Sequence, residues 1–116
     1  MEMPLEKIGD VAVVTLQGEY LDASIADEFK RDMQPALEDN TKVVFDMTQL
    51  RFVDSAGIGA ILSCLRRLNA KDGDLKLCGL SKSLRASFEI ARMHRIIDIL
   101  ETRDEAVAAF EQPATP

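Results

Sequence analysis

The sequence has no tryptophan, one tyrosine, one histidine and two cysteines among its 116 residues. A Ser-His-Asp hydrolase needs a base beside its nucleophile, and His94 is the only histidine available. We expect His94 to lie on an exposed connection between a helix and a strand. Cys64 and Cys78 have neither the spacing nor the companion histidines of metal ligands. We therefore predict no metal site and two buried free thiols, as in a reducing cytosol.

Long hydrophobic runs are also missing. No stretch is apolar enough over its length to span a membrane, and the start Met-Glu-Met, whose one charge is acidic, does not resemble the start of a signal peptide. The net charge of −6 and the pI near 4.7 argue against nucleic acid or an anionic membrane as a partner. We therefore expect a cytoplasmic protein with no membrane insertion, and a protein partner with a basic surface.

The rest of the sequence alternates between strand-like and helix-like patterns, as expected for one α/β domain without internal repeats. Short runs rich in β-branched residues predict strands at residues 5–8, 11–16, 43–45, 52–53, 75–78 and 96–100. Apolar residues at helical spacing predict helices at residues 24–39, 58–68, 81–92 and 103–111. The domain is predicted to span residues 1–112, followed by a disordered tail at 113–116.

Two local features qualify the first predicted helix. Ser24, with Asp27 and Glu28 downstream, is close to a capping arrangement, which predicts that the helix starts there. Pro35 lies inside the helical pattern, where a proline removes one hydrogen bond and clashes with the preceding turn. We therefore expect a kink in this helix, or a break near Met33.

The stretch at residues 43–68 organises the chain. Two apolar strand-like runs each end in an aspartate, and a helical stripe of isoleucines and leucines follows. The junction between the second strand and the helix reads Asp54-Ser55-Ala56-Gly57-Ile58-Gly59. Each glycine weakens a helix by about 1 kcal/mol relative to alanine. Two glycines in one turn therefore suggest close approach by another backbone or by a ligand.

Ser55 has two interpretations from local chemistry. Asp54 or Ser55 can cap the unpaired N–H groups of the first helical turn, and this is the simpler interpretation. A helix N-terminus also favours negative charge, so a serine hydroxyl here is suited to carry a phosphate. Asp46 and Asp54 can be read as paired carboxylates for metal or acid–base chemistry, but we predict that both cap and orient the loop.

This junction resembles the signature of the STAS domain, in the form found in bacterial anti-sigma factor antagonists. The matching residues are Val43, Val44, Phe45, Asp46, Phe52, Val53, Asp54, Ser55, Ala56, Gly57, Ile58 and Gly59. Ala56 stands where the family often has a second Ser or Thr. The segment Gly-Glu-x-Leu-Asp-Ala before the first helix also fits the family, with Tyr20 as one additional residue ahead of Asp22.

The resemblance covers nearly the whole chain and implies a mixed sheet of four to five strands with about four helices packed mainly on one face. It implies that Ser55 is the phosphorylation site. It further implies a partner-binding surface made of Asp22, Asp54, Ser55, Ala56, Gly57, Ile58 and Gly59. The partner would be an anti-sigma factor that is also a serine kinase and binds the ATP itself. A metal-dependent serine phosphatase would remove the phosphate. Because these partners would carry out both reactions, the resemblance implies that the chain needs no cofactor of its own and is not an enzyme.

Two alternatives remain open at the level of sequence. The chain can be a scaffolding STAS subunit of a lipid-transport or signalling complex, with Ser55 as a contact and not a switch. It can also bind a nucleotide or another small ligand at the loop. The loop has neither the lysine and glycine spacing of a phosphate-binding P-loop nor the Gly-x-Ser-x-Gly pattern of a hydrolase.

Overall fold

The computed structural model describes residues 3–111. The strands are β1 (Leu5–Ile8), β2 (Val11–Thr15), β3 (Tyr20–Leu21), β4 (Lys42–Asp46), β5 (Phe52–Val53), β6 (Asp74–Cys78) and β7 (Asp98–Leu100). The α-helices are α1 (Ala26–Asp39), α2 (Ser55–Asn69), α3 (Lys82–Ile90) and α4 (Arg103–Glu111), and a 3₁₀ turn spans Met93–Arg95. The predicted tail at 113–116 and residue 112 lie outside the described residues. No helix within residues 3–111 is long and apolar enough to cross a membrane.

The main sheet has five strands in the order β1-β2-β4-β6-β7. Strand β1 is antiparallel to β2, and the pairs that follow are parallel. Each parallel pair is connected through one of the helices α1, α2 and α3, as a crossover requires. A second, two-stranded parallel sheet joins β3 to β5. The predicted mixed sheet is therefore confirmed, with the short ribbon β3–β5 standing apart from it.

Alternate residues of the strands face two separate cores. Ala12 and Val14 of β2 face the larger core, which the helices α1, α2 and α3 cover. Val11 and Val13 face the smaller core, which contains side chains of α4. Strands covered on both faces read as continuous apolar runs, which explains the sequence of the central strands. Three helices on one face and one on the other confirm the prediction that the helices pack mainly on one face.

Of the two alternatives predicted for the first helix, the break near Met33 is wrong, and the kink stays a prediction. Helix α1 is continuous from Ala26 to Asp39, with Pro35 inside it. Pro35 lies on the exposed side, while Met33 and Leu37 are buried. Water can therefore solvate the carbonyl that lacks its usual N–H partner, and the two buried side chains hold both halves of the helix against the core.

Helix α3 and the last strand are shorter than predicted, whereas helix α4 has its predicted bounds. Helix α3 ends at Ile90, and Arg92 adopts a left-handed conformation with φ of 60°. A 3₁₀ turn at Met93–Arg95 follows, and the last strand begins at Asp98 and not at Ile96, because Ile96 and Ile97 form a turn and a bend. His94 lies exposed in this turn, on the connection between a helix and a strand, as predicted.

Both cysteines are buried and free, as predicted. Burial raises the pKa of the Cys64 thiol to about 12. Burial, with the nearby Asp46 carboxylate, raises the pKa of Cys78 to about 11. A thiol needs its thiolate form to act as a nucleophile or metal ligand, so both cysteines serve as small core residues.

Candidate functional site

Ser55 is the first residue of helix α2 and is exposed. Asp54 precedes it as the N-cap, with its backbone extended. One carboxylate oxygen of Asp54, Oδ1, accepts the backbone N–H of Gly57 at 2.9 Å. The other oxygen, Oδ2, accepts the backbone N–H of Ala23 at 3.1 Å. The cap that the sequence predicted is therefore Asp54, and it also ties the start of α2 to the loop that follows β3.

The loop after β3 is arranged by Asp22. Its side-chain Oδ1 accepts hydrogen bonds from the backbone N–H and the hydroxyl of Ser24, at 3.0 and 2.5 Å. Its carbonyl oxygen accepts the N–H groups of Ile25 and Ala26. Ser24 is thus not the helix cap, and the helix starts two residues later than predicted, because Asp22 satisfies the first N–H groups and binds the Ser24 hydroxyl.

The two glycines of the junction differ in their surroundings. Gly57 is buried, and a Cβ atom there would lie 2.2 Å from the carbonyl oxygen of Leu21 and 2.8 Å from Val53 Cγ1. Gly59 is exposed, and a Cβ atom there would meet nothing within 4 Å. The close approach predicted for these glycines is therefore made by the chain's own β3 backbone at Gly57. Because Gly59 has no side chain, the helix backbone is exposed there, on the same face as Ser55 and one turn further along α2.

Two aromatic side chains that the sequence did not mark as site residues lie next to the junction. Tyr20 and Phe52 pair across the β3–β5 ribbon, with ring centroids 6.5 Å apart at an interplanar angle of 61°. Their exposed fractions are 56% and 49%. The next pair along, Leu21 and Val53, is buried. Successive side chains of a strand point to opposite faces. Applied to residues 20–21 and 52–53, this rule would have predicted that both rings face the solvent.

Asp46 does not belong to the Ser55 loop, so the prediction that it orients that loop is wrong. Its Oδ1 accepts hydrogen bonds from the backbone and hydroxyl of Thr48, and its Oδ2 accepts one from Arg103 of α4 at 2.9 Å. Arg103 also donates to Thr15 Oγ1 at 3.2 Å. Burial alone would raise the pKa of Asp46, but the hydrogen bonds from Arg103 and Thr48 outweigh it and hold that pKa below its usual value.

The Ser55 hydroxyl is accessible to another molecule, but the described residues around it provide no catalytic group. Within residues 3–111 this hydroxyl makes no hydrogen bond, and the carboxylate of the preceding residue, Asp54, already accepts two backbone N–H groups. His94 lies elsewhere, beside a surface pocket lined by Arg85, Glu89 and Asp98. Among the described residues no cluster of His, Cys, Asp or Glu could hold a metal ion. The first-turn N–H groups of α2 favour a negative charge at this hydroxyl.

The predicted site residues thus lie in one region of the structure, but they differ in how far each is exposed to solvent. Ser55 and Gly59 are exposed, Gly57 is buried, and the remaining four are half-buried: Asp22, Asp54, Ala56 and Ile58. The site is a surface corner of the molecule, formed by the β3–β5 ribbon, the Asp22 loop and the first turn of α2.

Comparisons with known proteins agree with this architecture. The chain is 28% identical over 112 residues to BtrV of Bordetella bronchiseptica, a proposed anti-sigma factor antagonist, with 96% of each chain covered. It is 25% identical over 113 residues to the anti-sigma F factor antagonist of Paenibacillus polymyxa, again with 96% of each covered.

Among solved structures, the fold is similar to that of the anti-sigma factor antagonist SpoIIAA in two forms. The unphosphorylated form gives a TM-score of 0.70 at 22% identity, with 97% of this chain and 100% of the other covered. The phosphorylated form, from Bacillus, gives 0.67 at 24% identity, with 94% and 99% covered. The model of the STAS domain family matches residues 2–106, so the chain belongs to the STAS domain family.

Proposed function

We propose that this protein is an anti-sigma factor antagonist that is switched by phosphorylation of Ser55. In its unphosphorylated form it binds an anti-sigma factor and thereby releases a sigma factor. The observation that carries the proposal is the geometry of Ser55: an exposed hydroxyl at the N-terminus of α2 that makes no hydrogen bond to the described residues. The names of the relatives, anti-sigma factor antagonists of similar length, support the same function.

The partner that we propose is an anti-sigma factor that is also a serine kinase. Within residues 3–111 the Ser55 hydroxyl makes no hydrogen bond to a base, and both oxygens of the adjacent Asp54 carboxylate already accept backbone N–H groups. The kinase therefore has to supply the ATP, the metal ion and the general base. A metal-dependent serine phosphatase would reverse the reaction. The solved SpoIIAA structure in a phosphorylated form supports phosphorylation as a state of this fold.

Phosphorylation is proposed to act on the interface and not on the fold. A phosphate on Ser55 adds about −1.5 to −2 charges at neutral pH. The first turn of α2 tolerates that charge, because its N–H groups carry a partial positive charge. In the complex, the same dianion would face the nucleotide phosphates of the kinase. Repulsion and desolvation there can cost several kcal/mol, which exceeds the local gain.

The test is phosphate transfer from ATP with the purified anti-sigma factor kinase from the same organism. Wild-type protein should be phosphorylated at Ser55, and Ser55→Ala should abolish the reaction while keeping the affinity for the kinase. Ser87→Ala is the control, since it removes an exposed hydroxyl from helix α3, outside the predicted partner-binding surface. We expect Ser87→Ala to be phosphorylated at the wild-type rate.

Three results would contradict the proposal. Phosphate at another hydroxyl of Ser55→Ala, at wild-type rate, would remove Ser55 as the acceptor. A stable complex in which wild-type protein is never phosphorylated would favour a scaffolding role. Direct nucleotide binding by the isolated chain, measured by calorimetry, would favour a ligand-binding domain.

A further inference from the structure

The β3–β5 ribbon holds two aromatic rings on the outside of the molecule. Phe52 N–H donates to the carbonyl of Glu19 at 3.1 Å, and Asp54 N–H donates to that of Leu21 at 3.3 Å. These bonds fix the register that sets Tyr20 opposite Phe52. Because Leu21 and Val53 are buried in the core, the pleat turns both rings outward. Neither ring can enter the core without a register slip that would expose Leu21 and Val53.

The exposure of this pair stands out within the chain. The sequence has five phenylalanines and one tyrosine. Phe29, Phe45 and Phe88 are fully buried, and Phe110 packs at the edge of the smaller core. Tyr20 and Phe52 are thus the two aromatic residues of the described chain whose rings are about half exposed. Aromatic side chains concentrate at the energetic centres of protein interfaces, because they bury much area at little entropic cost.

We propose that Tyr20 and Phe52 form the docking contact for the kinase that phosphorylates Ser55. This inference rests on the proposed function. Phe52 precedes Ser55 by three residues, and the Asp54 carboxylate fixes Ser55 to the same ribbon and loop. An enzyme whose active site covers the Ser55 hydroxyl therefore covers this corner of the molecule. The bare helix at Gly59 leaves the adjoining surface open to the same partner.

Charge around the pair favours a basic surface on the kinase. Glu19 and Arg51 flank the two rings and pair with each other at 3.5 Å, so their charges offset. Asp22 and Asp54 make no salt bridge within residues 3–111; their carboxylates accept hydrogen bonds from backbone N–H groups and from Ser24. Two carboxylates without a cation beside an apolar patch complement a partner that presents Lys or Arg at the rim.

The same charges argue against a second copy of the chain as the occupant. A symmetric dimer through this corner would bring Asp22 and Asp54 of two molecules together, and each chain already has a net charge of −6. Like charges across an interface are costly. The kinase, whose active site must reach Ser55, is therefore the occupant that the surface fits.

Tyr20 gives a direct test, because it is the only tyrosine of the sequence. Protein grown with 3-fluorotyrosine carries one fluorine-labelled side chain, and its ¹⁹F NMR signal reports on that position alone. Unlabelled anti-sigma factor kinase should shift and broaden this signal in proportion to the complex formed. After Ser55 is phosphorylated, the same addition should leave the signal close to that of the free protein.

Affinity measurements complete the test. Tyr20→Ala and Phe52→Ala should each weaken kinase binding by about 10-fold or more, as expected for aromatic hot spots. The matched control is Ile90→Ala, which removes an apolar side chain that is 84% exposed on another part of the surface. Its affinity should equal that of the wild type. Circular dichroism and thermal melting verify that each variant is folded, and the fluorine measurement needs no variant.

The outcomes separate this inference from the function on which it rests. If wild-type protein is phosphorylated at Ser55 but both aromatic variants bind the kinase as tightly as the wild type, the docking contact is wrong and the function stands. If the kinase neither binds nor phosphorylates the wild-type protein, both are wrong. A fluorine signal that changes with the concentration of the chain alone, and not with kinase, would assign the surface to a second copy.

Discussion

Asp46 and Asp54 occupy similar places in the fold, since each stands at the carboxyl end of a strand, β4 or β5. The surroundings of the two carboxylates differ. Asp46 is 8% exposed and binds the side chain of Arg103, 57 residues away. Asp54 is half-buried, and within residues 3–111 its carboxylate binds only backbone N–H groups. Asp46 therefore anchors helix α4 to the sheet, whereas Asp54 shapes a loop and leaves the neighbouring hydroxyl accessible.

The difference shows that an aspartate at the end of one strand can stabilise the fold, while an aspartate at the end of another strand can keep a neighbouring side chain accessible to a partner. At the Asp46 corner every carboxylate oxygen is matched by a side-chain donor, which leaves nothing for a partner. At the Asp54 corner the charge is held by main-chain groups, so the exposed side chains around it, Ser55, Tyr20 and Phe52, remain available. The following changes test this comparison, from the largest expected effect to the smallest.

Gly57→Val should have the largest effect, because the structure places the Leu21 backbone against that glycine. The new Cβ would overlap the Leu21 carbonyl oxygen and Val53. We expect the free energy of unfolding to fall by about 3 kcal/mol, the upper part of the range for overpacked sites.

The matched control for that variant is Gly59→Ala, one half-turn further along α2. Open space surrounds the new methyl group, so the helix should gain up to about 1 kcal/mol from the better helix former. Denaturant unfolding of both variants measures the difference. Equal stability of the two variants would show that the β3 backbone does not constrain Gly57.

Asp46→Asn tests the anchoring corner. The amide keeps an acceptor for Thr48 but loses the charge that Arg103 binds, so we expect a loss of about 2 kcal/mol at pH 7. The pKa of Asp46 is lowered in the folded protein. Its contribution to stability is therefore full above its unfolded pKa, and it is lost as the pH falls through the folded pKa.

The difference in stability between wild type and Asp46→Asn should accordingly be constant near neutral pH and shrink below about pH 4. Thermal unfolding across the acid range measures it. Asp10→Asn is the control, because the Asp10–Lys42 pair is exposed and should contribute little. If the difference in stability between wild type and Asp46→Asn stays the same down to pH 2, the variant loses packing interactions and not a charge interaction.

Asp54→Ala should have a smaller effect on stability, since it removes a helix cap at the surface. We expect a loss of about 1 kcal/mol, as is usual for N-caps. Because Asp54 also holds Ala23, hydrogen exchange should rise in the loop at residues 22–25 as well as in the first turn of α2. Exchange that rises in α2 alone would mean that the contact to Ala23 does not order the loop.

Phosphorylation of Ser55 should have the smallest effect on the fold. The phosphate lies at the N-terminus of α2, where a negative charge gains roughly 0.3–1 kcal/mol. The phosphoprotein should therefore melt at or slightly above the temperature of the unmodified protein. Hydrogen exchange with and without phosphate is the measurement. A loss of protection across β4 would make the switch conformational and would contradict release at the interface.

Local patterns in the sequence determined much of this protein. The alternation of strands and helices, the helical stripe of α2 and the Asp54 cap all depend on residues within about one turn or one strand of each other. Such contacts form whenever the segment adopts its own preferred conformation, so they can be read from spacing alone. The predicted position of Ser55 at the start of a helix agrees with the structure for this reason.

Only the tertiary structure decided which distant residues meet. Arg103 binds Asp46 across 57 residues, and Ala23 binds Asp54 across 31. Residue 57 has to be a glycine because the Leu21 carbonyl lies against it. Tyr20 lies opposite Phe52 because of the register in which β3 and β5 pair. Sequence spacing carries no information on these contacts, because sheet order and register bring the segments together only when the whole core is packed.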